Sequence, residues 1–198
     1  MKRSIIAALA SVILLTPAMA LAHTGHGDAA GFIHGMAHPM SGIDHVLAMI
    51  AVGLLAARMG GRALLLLPLT FISIMAGAAV LGMIGFDLPF FEIGIAASLV
   101  VLGLAVAFPS RLSSLMGAGL IAVFAVFHGY AHGAEMPADV SGLAYGAGFL
   151  VGTALLIGLG AGSARLAGLM GDRIGHRTVQ MGGGVIGLYG LMILSTIL

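Results

Sequence analysis

Two short runs hold most of the coordinating chemistry available to this chain. HPMSGIDH, residues 38–45, supplies His38, Asp44 and His45; FHGYAHGAE, residues 127–135, supplies His128, His132 and Glu135. Imidazole nitrogens joined by one or two carboxylates make a nitrogen and oxygen donor set suited to Zn, Cu(II), Fe, Ni or Co. Calcium or magnesium takes oxygen ligands instead. Cysteine is absent, which removes thiolate sites and disulfides. A single buried histidine is better explained by a hydrogen bond to a backbone carbonyl that ties helices together. Several histidines and two acids gathered at one level are better explained by a metal ion.

The elements that must position these residues are apolar. Hydrophobic residues make up 60% of the 198 positions and charged residues only 8%, with 32 glycines and a mean hydropathy of +1.16. Soluble domains are about one quarter charged, so the chain reads as an all-α, polytopic membrane protein. No basic face suggests nucleic-acid binding. At the N-terminus, Lys2 and Arg3 precede the apolar run IIAALASVILL, and Ala20-Leu21-Ala22 offers a cleavage site. Residues 1–22 therefore read as a secretory signal peptide, with an uncleaved first span as the alternative. The mature chain, 23–198, begins at His23.

Apolar stretches near 39–57, 63–85, 90–108, 112–134, 141–162 and 179–197 predict a bundle of six transmembrane helices. Pro39, Pro68 and Pro89 fall near expected helix starts and Pro109 follows the third span. Short connections predict that consecutive helices are antiparallel neighbours. A cleaved signal leaves the mature N-terminus outside the cytoplasm. The six arginines of the mature chain, Arg58, Arg62, Arg111, Arg165, Arg173 and Arg177, then all lie in cytoplasmic loops near 58–62, 109–111 and 163–178. Asp87, Glu92, Glu135 and Asp139 fall on the outer side, which agrees with the positive-inside rule. Glycines of the last two spans, several of them four apart, predict close helix packing. They permit a homo-oligomer without requiring one.

On this topology the two runs meet. Asp44 and His45 lie about six residues below the outer end of the first span, and His128 about six below the outer end of the fourth. At about 1.5 Å per residue both are roughly 9 Å deep on one side. His128 and His132 are one turn apart on one face, and Glu135 extends that stripe outward. His38 and His45 share a face if the first helix begins at His38. His23, His26 and His34 are candidate ligands at the entrance. Ser41 and Tyr130 are candidates for hydrogen bonds to ligating histidines. His176 falls in a cytoplasmic loop and reads as structural.

HPMSGIDHVLAMIAVGLLAA, from His38 to Ala57, and FHGYAHGAEMP, from Phe127 to Pro137, resemble the HupE/UreJ family of hydrogenase and urease accessory membrane proteins. The signal-like leader followed by His-Thr-Gly-His extends the likeness over nearly the whole chain. The resemblance implies a permease in the bacterial cytoplasmic membrane that carries Ni²⁺, or in some members Co²⁺, for metalloenzyme assembly. It implies no permanently bound cofactor, and metal-site residues at His38, Asp44, His45, His128, His132 and Glu135. A metallochaperone partner is compatible with that role. The competing reading is an intramembrane metal-dependent hydrolase using the same histidines, Asp44 and Ser41. Against it, HGYAH has no Glu after the first His, as a zinc-protease motif requires.

Overall fold

A computed structural model describes residues 28–108, 112–136 and 142–198. The expected signal peptide lies outside the described residues, as do His23, His26, Pro109, Arg111 and Asp139. What is described is helix and connecting turn, with no strand among the described residues. Helix α1 (Asp28–Ala37) leads through a 3-10 turn (His38–Met40) into α2 (Ile43–Met59). Helices α3 (Ala63–Met83), α4 (Phe91–Ala107), α5 (Ser114–Ala134), α6 (Gly142–Gly168) and α7 (Asp172–Ile197) follow.

Helices α3 and α5 have 21 residues, α6 has 27 and α7 has 26. Even the shorter two extend about 31 Å, enough for a hydrocarbon layer of about 30 Å. These four are long and apolar enough to cross a membrane; α1 and α2 make a fifth if a pair bent by 81° counts as one span. Helix α4 is apolar but has 17 residues, about 26 Å of helix. The outward faces of α3 and α7 carry exposed apolar residues such as Leu65 and Leu188, a surface suited to lipid.

Three expectations are corrected. The first span is broken: Gly42 is extended at φ −109° and ψ 123°, and the helix restarts at Ile43. A Cβ at position 42 would fall 2.6 Å from the Asp44 carboxylate and 3.0 Å from the His45 ring, so a larger residue would displace these side chains. His38 and His45 therefore do not share a helical face; the bend, rather than a seven-residue period, brings them together. Second, α6 and α7 run on into the expected 163–178 loop, so Arg165, Arg173, His176 and Arg177 are helical. Pro68 likewise lies inside α3 rather than at its start. Third, α3 with α4, and α5 with α6, make no close backbone approach. The main interfaces are α3–α5, α4–α7, α1–α6 and α2–α6. A short loop limits the distance between two helix ends, but small residues decide which faces can meet.

The FHGYAHG run makes this visible. Gly129 and Gly133 each directly follow a histidine, and each sits against a backbone carbonyl of α3, that of Met75 and that of Ala79. Gly82 of α3 returns the contact against the Tyr130 carbonyl. One residue is 100° of helix rotation, so the glycine stripe seats α5 on α3 while the histidine stripe faces a different neighbour. Gly148 and Gly152 of α6 similarly receive the Phe32 and Met36 carbonyls of α1, as the glycine spacing leads one to expect. Gly146, Gly158 and Gly162 of the same helix face open space. Below the histidines, Met49, Leu55, Phe71, Leu99 and Ile121 fill a fully buried core.

Candidate metal site

The two runs come together. Helices α2 and α5 approach each other little along their backbones, and imidazoles span the gap between them. His45 of α2 lies with its ring centre 4.2 Å from that of His132 and 5.1 Å from that of His128. His38, on the 3-10 turn, lies 4.9 Å from His132. Its Nε2 is 3.5 Å from an oxygen of Glu135, the residue that ends α5. From the rim inward the order is Glu135, His38, His132, His45, His128. His128 is fully buried, His132 is 3% exposed and His45 8%, whereas the Glu135 side chain is 58% exposed.

Hydrogen bonding fixes which nitrogens are free. His128 Nδ1 lies 3.0 Å from the Phe124 carbonyl, one turn back. A carbonyl only accepts, so Nδ1 carries the proton and Nε2 presents a lone pair. His45 Nδ1 lies 3.0 Å from Asp44 Oδ1, which also accepts the His45 backbone N–H at 2.9 Å. An ionised carboxylate again makes Nδ1 the donor and leaves the His45 Nε2 lone pair free. The Nε2 atoms of His45 and His128, and both ring nitrogens of His132, are buried without a hydrogen-bond partner, and Nε2 of His38 has only the Glu135 oxygen at 3.5 Å. Each such atom costs about 1–3 kcal/mol when unsatisfied. A neutral imidazole has one lone pair, and a cation that takes the free lone pairs would satisfy those nitrogens.

His38, His132 and Glu135 already offer ligand atoms within 4.8 Å of one another. Donors at about 2.1 Å in a tetrahedral shell lie about 3.4 Å apart, so an ion would draw these side chains together by up to about 1.4 Å. A cavity of about 230 Å³ reaches this region from the rim, lined by Asp44, His45, Glu92 and Glu135 among others. It lies at the starts of α2 and α4 and the ends of α5 and α7. Three carboxylates on one approach favour a cation. Asp87 is exposed and does not line this approach.

Other sequence expectations fare differently. His34 is exposed on α1 and outside the cluster. Ser41 Oγ donates to the His38 backbone carbonyl at 2.7 Å, and Tyr130 stacks near Phe91, so neither is bonded to a histidine ring. His176, helical rather than in a loop and outside the cluster, has Nδ1 2.6 Å from the Asp172 carbonyl. One wall was missed. Tyr145 and Phe149 of α6 face the histidines, with Phe149 4.5 Å from His132 and Tyr145 5.7 Å from His38, ring centre to ring centre. The Tyr145 hydroxyl and the hydroxyl of Thr153, which is fully buried, lack partners as well. Their spacing at 145, 149 and 153 is a helical stripe in a glycine-rich segment, and that stripe was the available signal.

The family model described as HupE / UreJ protein matches residues 11–193. The chain is also similar to Protein HupE of Rhizobium leguminosarum bv. viciae, at 41% identity over 182 residues, covering 91% of this chain and 93% of that protein. No solved structure matches. With both runs falling inside the matched region, the chain belongs to the HupE/UreJ family.

Proposed function

We propose that this protein is a secondary permease that moves a divalent transition metal, Ni²⁺ or Co²⁺, inward across the bacterial cytoplasmic membrane. Six spans serve that role: the bent α1–α2 pair followed by α3 to α7, with the mature N-terminus outside. The observation that carries the reading is the set of buried imidazoles with unpartnered Nε2 atoms between α2, α5 and the 3-10 turn.

The cation, drawn by Asp44, Glu92 and Glu135, first exchanges water for Glu135, His38 and His132. It then passes to His132, His45 and His128. A carrier site must bind well enough to admit the ion and weakly enough to release it. Handing the ion between overlapping donor subsets meets both needs. Asp44 holds the His45 ring through Nδ1, an orienting partner of the kind that metal-bound histidines ordinarily have. Tyr145 and Phe149 close the site on the α6 side and exclude bulk water from it.

Uptake of radioactive Ni²⁺ into proteoliposomes is the test. Wild-type protein carries the ion inward, and His132→Ala abolishes uptake while the variant keeps its helical circular dichroism and its elution as a folded species. Uptake undiminished in His132→Ala would end the proposal.

A further inference from the structure

Arg58 lies 13 residues beyond His45 on α2, about 20 Å of helix away from the imidazoles. There a second cavity, of about 190 Å³, opens between the last turns of α2 and α6 and the first turns of α7. Its charged or titratable side chains are Arg58, Arg165 and His176, and no carboxylate lines it. Gly168 and Gly175 also line it, and Gly175 seats α7 against the Ala167 carbonyl of α6.

Helix-end electrostatics explain part of this. Arg58 and Arg165 occupy the last turns of their helices, where a cation complements the carbonyl end of the dipole. That accounts for one guanidinium at each end, but not for two guanidiniums and an imidazole around a shared, carboxylate-free cavity. Arg58 donates one N–H to the Val106 carbonyl, and a guanidinium has five donors. Arg165 forms no ion pair among the described residues. Nδ1 of His176 is held by the Asp172 carbonyl, which leaves its Nε2 uncommitted. The cavity has roughly the volume of six water molecules, room for a phosphate group with some hydration.

The rim decides what kind of anion fits. Leu166, Leu169, Met170 and Ile174 are each more than half exposed around the α6–α7 turn. A free anion gains nothing from such a rim, whereas an amphiphile does. We propose that this cavity binds the phosphate of an anionic phospholipid, with the acyl chains running over the apolar rim. Basic pockets between helices at one membrane face recognise anionic headgroups by this combination. The site is separate from the histidine cluster and takes a ligand of opposite charge, so its test is independent of metal transport.

The full chain is delipidated in detergent, and its thermal unfolding and intact mass are followed on adding phosphatidylglycerol, phosphatidylcholine or inorganic phosphate. Phosphatidylglycerol is expected to raise Tm and to remain as a bound adduct, while phosphatidylcholine does neither. The double variant Arg165→Gln/His176→Gln should bind phosphatidylglycerol at least tenfold more weakly, with its lipid-free Tm unchanged. A control, Arg173→Gln/Arg177→Gln, removes two charges outside the cavity and should bind like wild type. Equal binding by wild type and the Arg165/His176 variant overturns the proposal, as does an equal loss in the control. Inorganic phosphate alone reproducing the Tm shift overturns the lipid assignment.

Discussion

At the residue scale the argument turns on nitrogen lone pairs. His45 and His128 each commit Nδ1 to an acceptor, Asp44 and the Phe124 carbonyl, and each keeps Nε2 for something else. This gives Asp44 a testable role. If it orients His45, Asp44→Asn retains an acceptor oxygen and keeps part of the metal affinity, while Asp44→Ala loses about 10- to 100-fold. If Asp44 were itself an essential charged ligand, Asn and Ala would fail alike; Ni²⁺ titration of the purified variants separates the two. In the sequence, span lengths and charge-derived topology put Asp44, His45 and His128 near one depth, whereas His38 reaches the cluster through the bend at Gly42 that spacing did not reveal. Asp44's use as a partner to His45 was less legible, because adjacent helical residues point about 100° apart and spacing alone does not pair them. The α6 wall of Tyr145 and Phe149 was hidden because neither is a metal-ligand type.

At the element scale the fold depends on where helices are allowed to touch. The HG-x-x-HG pattern puts Gly129 and Gly133 against α3 and His128 and His132 against α2 and the 3-10 turn, so one motif sets both packing and chemistry. Gly133→Ala would drive a methyl group into the Ala79 carbonyl, a backbone contact that no side-chain rotation relieves. We expect a loss of about 1–3 kcal/mol or more in stability, measured by thermal unfolding in detergent. Nickel uptake should fall with it, because α5 must move away from α3. Gly146→Ala, where a Cβ meets nothing, should leave stability within about 0.5 kcal/mol of wild type. Apolar run lengths located α2 to α7, but not α1 (Asp28–Ala37), which precedes the expected first span, nor the break at Gly42, since the hydrophobic run is hardly interrupted there. The non-sequential pairing of α3 with α5 and α4 with α7 was also out of reach, because loop length does not choose between faces.

At the scale of the whole molecule the ends of the bundle carry opposite chemistry. One end gathers Asp44, Glu92 and Glu135 about an imidazole ladder, and the other gathers Arg58, Arg165 and His176 about a cavity. A cation carrier with this layout should respond to pH in one direction. Metal ligation requires neutral imidazole, so protons compete with the ion. Uptake at matched internal and external pH should therefore fall on acidification once the site imidazoles take up protons; a rise would point to a different coupling. The most direct check on the central claim is nickel K-edge X-ray absorption on the Ni²⁺-loaded protein. The account predicts at least two imidazole ligands at about 2.0–2.1 Å in a purely nitrogen and oxygen shell, reduced in number by His45→Ala and by His132→Ala. A shell containing sulfur, or one unchanged by both substitutions, would contradict it.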